Sequence, residues 1–508
     1  MRKFFKTYIF KMMLVVFFGI SFVQCNDFLD LKPLTSESTE TAFVRKQDIE
    51  SALIGAYNTF YTDFYVWEGV LLGDVRSDNA YNPIDDAPLY EYETLQLSSS
   101  NMNLMVDWTM LYRTIQGCNI VLENVDKITD PNLTEKRKGE IIGEAKTIRA
   151  LSYFNIAKLW GDAPLVLTQT NSANPDKTNL PRESVKKIYE YVIQDLQDAA
   201  QKLPDVNASG KKDRATRVVV MALLAKVYAQ IPFDVPYNKY DSVIYYCNEV
   251  INSPAHYQLL KNYDYLFDGA HYNSSESIWE IQFSASNPDC ANWGPSLNLP
   301  PSLTGSTWRK YCIPSQDLVN AFKNEATSIR YNASIINERV TYWYDEYWSA
   351  EKNNVIPFTY KWRGTGGVPS GDDTYLIRLA DIILLKAEAL CQNNRMDEGV
   401  QLANDNTIMR VNGTPIPTGL DKERALDAIL NERRLELAFE GHRWDDLTRT
   451  GRIKQVMNSL NDYTKATPSS PRVKIAYNFD DHLKLLPIPQ EERNRNKKLT
   501  QNPGYFPQ

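Results

Sequence analysis

Along most of the chain apolar residues return every third or fourth position, the spacing of one buried helix face. From Lys46 to Tyr61, the residues Ile49, Leu53, Ala56, Tyr57 and Phe60 keep that rhythm, and Trp108 to Ile128 repeats it. The stretch from Thr134 to Gly161 opens on a threonine cap with charged first turns and closes on glycine, as helices prefer. Two more periodic runs end at Pro204 and Pro232. Towards the far end come "YLIRLADIILLKAEALCQ", "RMDEGVQLANDNTIMRV", "DKERALDAILNERRLELAFEG" and "HRWDDLTRTGRIKQVMNSL".

Short turns join these runs into pairs, and Ala380, Ala387, Ala389 and Ala403 allow close helix packing. Such pairs resemble the tetratricopeptide helix–turn–helix, although the repeats are degenerate and widely separated. The predicted fold is mainly α: a tetratricopeptide-like helix-pair scaffold at about 40–61, 106–260 and 376–460. Irregular inserts at about 62–105 and 262–375, rich in Asn, Ser, Gly, Pro and aromatics, interrupt it. Alternating runs such as "SIWEIQF" predict a few short strands there. Long inserts on a regular scaffold are where binding residues collect.

The first residues have another pattern. Arg2, Lys3, Lys6 and Lys11 precede an apolar run from Met12 to Val23 that is too short to span a bilayer, and Cys25 follows. We read residues 1–24 as a lipoprotein signal peptide and Cys25 as the acylated first residue of a mature domain, 25–508, although Gln24 is not the usual small residue. Losing the leader moves the formal charge from −7 to −11. An acidic exported chain is a poor partner for nucleic acid, which is held by cationic phosphate contacts. Of the remaining cysteines, Cys118, Cys247 and Cys391 fall in helical patterns and read as buried thiols, while Cys290 and Cys312 could pair.

Several segments together resemble the SusD/RagB family of outer-membrane nutrient-binding lipoproteins. They are "CNDFLDLKP", "LLGDVRSDNA", "EAKTIRALSYFNIAKLWGDAPLVL", "RLADIILLKAEAL", "NERRLELAFEGHRWDDLTRTG" and "LKLLPIPQEERNRNKKLTQNPGY". The resemblance implies a lipid-anchored protein of the outer membrane, facing outside the cell. It would capture a glycan, less often a peptide, and deliver it to a SusC-like TonB-dependent transporter. Asp27 and Asp30 behind Cys25 fit surface display loosely.

A sugar site needs aromatic faces for the C–H side of a pyranose and short polar groups for its hydroxyls, because unpaired buried polar groups are costly. Asp74, Arg76, Asp78, Asn79 and Tyr81 offer such chemistry in "GDVRSDNAYN", and Trp293 and Trp308 offer it in the 290–311 loop. Trp67 and Tyr65 could line the same pocket or support its base. Trp343 and Trp348, in "TYWYDEYW", read rather as core, strand edge or partner surface. The stretch "NERRLELAFEGHRWDDLTRTG" reads as structural: Gly441 ends a helix, and Asp445 and Asp446 sit at the start of the next.

No catalytic signature accompanies these clusters. The four histidines are scattered, and neither an HExxH pair, a GxSxG elbow nor a phosphate loop is present. Calcium at Asp372–Asp373 or Asp85–Asp86 lacks an ordered ligand loop, so no cofactor is expected. The reading is a non-catalytic glycan binder. The alternatives are a glycoside hydrolase on a helical scaffold, whose two carboxylates need a set separation, and a peptide-binding or structural repeat scaffold.

Overall fold

The computed structural model describes residues 42–506, apart from 83–86, 171–177, 234–237, 308–309, 344, 346, 349–353, 365–369, 461–462, 465–472 and 475. Cys25, the leader, Trp308 and Asp85–Asp86 lie outside the described residues.

The periodic runs are helices. They are α1 (Lys46–Tyr57), α2 (Met102–Asn124), α3 (Glu135–Trp160), α4 (Val185–Lys202), α5 (Arg217–Gln230) and α6 (Lys239–Ile251), followed by α7 (Leu379–Gln392), α8 (Met396–Ala403), α9 (Lys422–Glu436) and α10 (Arg443–Arg449). Thr134 caps α3, its hydroxyl accepting from the Arg137 N–H at 3.2 Å, and Gly161 ends it at φ +70°. Helix α4 buries one face through Ile188, Tyr189, Val192, Leu196 and Ala199; α5 is buried nearly all round, as the innermost helix of such a stack must be.

Consecutive helices pack as pairs: α2 on α3, α3 on α4, α5 on α6 and α7 on α8, with α6 and α9 both against α7. The four alanines named above are buried at these contacts. Gly399 of α8 shows how close the approach is, since a Cβ there would lie 2.5 Å from the Ala387 carbonyl oxygen.

Sheet is confined, among the described residues, to four antiparallel two-stranded ladders. Strands β1 (Ala80–Tyr81) and β3 (Ile313–Pro314) pair, β2 (Ser277–Ile281) pairs with β6 (Thr374–Arg378), and β4 (Ile335–Arg339) with β5 (Val355–Thr359). The fourth ladder joins β7 (Tyr463–Thr464) to β8 (Val473–Lys474). Strand β6 runs straight into α7, so the middle insert is stitched to the scaffold at Arg378.

Three expectations change. The early insert is not irregular: Phe64–Glu68 and Leu71–Val75 are π-helical turns and Ala87–Thr94 is an α-helix, because Leu71, Leu72 and Val75 bury against the scaffold. The last periodic run is two helices, α10 and Ile453–Ser459, broken where Gly451 takes φ +74°. Cys290 and Cys312 are free thiols, Cys312 buried and Cys290 half-buried.

Candidate functional site

The early acidic cluster lies inside the protein and clamps two distant parts of the chain together. Asp78 receives the Arg443 guanidinium at 2.8 and 2.9 Å and stands 3.1 Å from Arg434. Burial alone would raise its pKa; the two arginines outweigh that and hold the carboxyl well below its usual range. Asn79 accepts from Arg434 Nε at 2.8 Å. Asp74 accepts the Asn79 amide at 2.7 Å and the backbone N–H groups of Phe439 and Gly441 at 3.1 and 2.8 Å, while burial pushes its pKa up to about 6. That turn can reach Asp74 because Gly73 meets Gly441: a Cβ on Gly73 would stand 2.3 Å from the Gly441 backbone.

Arg76 lies 3.9 Å over the Trp444 ring and donates to the Leu483 carbonyl, its pKa lowered to about 10 by burial. Tyr81 donates to Asp345 at 2.6 Å. All five of these early residues are buried. "GDVRSDNAYN" and "NERRLELAFEGHRW" are therefore two halves of one fastening, and the surface available to a ligand lies elsewhere.

The candidate surface is an aromatic ledge built by the turn 61–67 and the segment 283–311. Trp293 is 44 % exposed and immediately precedes the short helix Gly294–Asn298. Gly294 presses on the turn below, where a Cβ would stand 2.5 Å from the Val66 carbonyl oxygen. Trp67 meets Tyr311 edge-to-face at 5.3 Å between ring centres, and Tyr61 meets Phe283 at 5.5 Å. All four residues are partly exposed, each packed on one side against the main hydrophobic core. Exposed Asp63, Ser286, Asn287 and Asp289 supply short polar side chains around them.

Buried groups underneath fix the ledge. Asn292 donates to the Asp372 carbonyl at 2.7 Å and accepts from the Gly294 N–H at 2.9 Å. Lys310 is buried and donates to the Ser296 carbonyl at 2.8 Å and the Thr304 hydroxyl at 3.1 Å, with its pKa lowered by burial to about 8. The Asp373 carboxylate accepts from the Phe283 N–H at 2.8 Å and so braces the same segment, while the Asp372 carboxylate accepts from Tyr272 at 2.6 Å and ties the approach to strand β6 to the neighbouring loop.

The structure thus sets Trp293 beside Gly294, whose backbone meets Val66 next to Trp67, and adds the ring pairs Tyr61–Phe283 and Trp67–Tyr311, of which Tyr61, Phe283 and Tyr311 were missed by sequence reasoning. Only Phe283 had a signal: it continues the two-residue alternation of Trp279 and Ile281 beyond the strand. Trp343 and Trp348 pack on their own hairpin region, against Phe358 and the Pro314 carbonyl, while Tyr342 beside them is 65 % exposed.

Directly behind Trp67, Glu68 is buried facing Asp107 of α2, with Asp63 and Tyr92 as further neighbours and Arg76 beyond Tyr92. Burial, then mutual repulsion, raises the Glu68 pKa; burial pushes Asp107 up to about 7. Above the unfolded carboxyl pKa the native state keeps a proton that the unfolded chain has released, so this pair's contribution falls as pH rises from about 4 to about 7. Glu68→Gln, whose amide can donate to Asp107, should therefore stabilise the protein at pH 8 by on the order of 2 kcal/mol and change little at pH 4. Thermal melts of both proteins across that range check this, and parallel curves would sink it.

Taken together, a tetratricopeptide-like helical scaffold carries one exposed aromatic ledge on its inserts, with no group of three or more metal-ligating side chains among the described residues. The chain belongs to the SusD family. The SusD family model matches residues 338–505, and a second, described as starch-binding associating with outer membrane, matches residues 27–229. A SusD-like protein of Formosa agariphila is 26% identical over 96% of this chain and 98% of its own length; one of Bacteroides ovatus is 26% identical over 88% and 83%. A SusD superfamily crystal structure from Bacteroides vulgatus has a TM-score of 0.76 at 22% identity, covering 90% of this chain and 99% of that one. A laminarin-binding SusD-like protein has a TM-score of 0.73 at 24% identity, covering 91% and 100%. The likeness to these structures shows the shared helical fold.

Proposed function

We propose that this protein is a cell-surface lipoprotein that captures a glycan on the ledge around Trp293 and hands it to a SusC-type TonB-dependent transporter without cutting it. The observation that carries the reading is the ledge itself: partly exposed rings held by buried braces, flanked by short polar side chains. Pre-set aromatic faces bind sugar rings at little entropic cost. The name of the laminarin-binding neighbour and the starch-binding description of the second family model support the ligand class. Trp308 belongs to the same loop and is assigned to the same site. In this reading Cys25 carries the lipid after residues 1–24 are removed, the outer leaflet facing outward is the location, and the inserts form the ligand side of one domain, 25–508.

The test is affinity electrophoresis in gels containing laminarin or starch, with reducing ends assayed afterwards. The wild-type protein should be retarded with no sugar released. Trp293→Ala should weaken retention about tenfold, the order expected for one stacking ring, and leave the melting temperature unchanged. Released sugar would point to a hydrolase; absence of retention in every polysaccharide would overturn the glycan assignment.

A further inference from the structure

A second pocket lies among the scaffold helices. Helices α3 and α5, strands β2 and β6, the turn from Phe64 to Gly73 and the Glu440–Asp445 turn surround a cavity of about 190 Å³. Phe64, Tyr65, Phe154, Trp279 and Trp444 supply aromatic walls. Trp279 is 0% exposed, and its indole N–H has no acceptor within the protein. A buried donor without an acceptor calls for an explanation, commonly water or a ligand. The Tyr65 hydroxyl, beside Ser152 and Asn155, is equally shut off from solvent.

The charges on the wall are all compensated. Lys158 pairs with Asp445, Lys226 with Asp381, and Glu440 with Arg378 and Lys361. Burial keeps His442 neutral, its pKa pushed down to about 4. Such a lining offers an ion no partner and favours a neutral occupant. Lys158, Trp444 and Asp445 also line an adjoining groove of about 780 Å³, so their ion pair stands where the two spaces meet. An apolar cavity of about 150 Å³ holds one benzene; this one is larger and carries polar groups.

We propose that the inner cavity is a binding site for a single neutral sugar ring of pyranose size, which enters from the groove past Lys158 and Asp445. The proposal rests on the glycan reading above; it shares the turn 61–67 with the ledge through Phe64 and Tyr65 but uses none of the ledge's exposed rings. The ring's C–H face lies on the aromatic walls, one of its oxygens accepts from Trp279, and its remaining hydroxyls meet Asn155, Lys158 and Asp445.

Titration of the purified protein with glucose, galactose, mannose and xylose, followed by saturation-transfer NMR and tryptophan fluorescence, tests it. Toluene serves as the uncharged ring without oxygens. At least one sugar should bind saturably in the millimolar range and better than toluene. Leu223→Trp, which fills the cavity, should abolish that binding, and Trp279→Phe, which removes the donor together with part of the aromatic wall, should weaken it at least tenfold; melting curves confirm that each variant folds. Saturable binding of toluene alone, no saturable binding at all, or sugar binding indifferent to both variants overturns the proposal. Laminarin retention measured on the same variants separates the two readings: if retention persists while free sugars fail to bind, this site falls and the ledge stands.

Discussion

Glu436→Ala is expected to abolish stable folding, the largest single effect the structure implies. Glu436 is fully buried and faces three guanidinium groups, Arg330 at 3.1 Å, Arg378 at 2.6 Å and Arg410. Burial alone would raise its pKa, but these arginines more than reverse that and hold it far below the usual range. Removing one partner of a buried ion pair costs about 3–5 kcal/mol; here one substitution removes a carboxylate shared by three cations, each of which keeps at least one other. Native stability is about 5–15 kcal/mol, so most of it goes. Urea unfolding followed by circular dichroism gives the measure. A loss below ~1 kcal/mol would mean that Glu276, Glu432 and Glu440, which share the same arginines, suffice alone. Against the upward push of burial, Glu436 and Glu440 are both held below the usual carboxylate range by the neighbouring cations, so their contribution is complete above the unfolded glutamate pKa and fades as pH falls below it.

Asp78→Ala should destabilise by about 3–5 kcal/mol for the same reason, leaving Arg434 and Arg443 buried without their shared carboxylate. Its functional signature differs from that of Trp293→Ala. The clamp fixes the turn that carries Trp67, so losing it should both lower the unfolding midpoint and weaken polysaccharide retention, whereas the tryptophan substitution touches retention only. Wild-type retention in Asp78→Ala at a temperature where it stays folded would break the link between clamp and ledge.

The helical scaffold was readable because its signal is local. Apolar spacing, the Thr134 cap and the Gly161 stop each act within a few residues, and the helices begin and end close to where those signals stand. The early insert misled for a physical reason. Asp74, Asp78 and Asn79 look like a solvent-facing polar cluster in one dimension, and their true partners, Gly441, Arg443 and Arg434, lie far along the chain. Burial of a carboxylate cannot be read without knowing where its arginine is. The ledge was legible at Trp293, whose loop-forming neighbours leave it no helix face to enter. It was not legible at Tyr61 or Tyr311, because a half-buried tyrosine at the end of one segment acquires meaning only when another segment packs beside it.

The fastening between Asp78 and Arg443 joins positions 365 apart in the sequence. A polypeptide made and passed across a membrane front end first would leave Asp74 and Asp78 waiting until its last quarter arrives. Until it does, the leading half lacks Gly441, Arg443 and Arg434, so this clamp can close only once nearly the whole chain has been made.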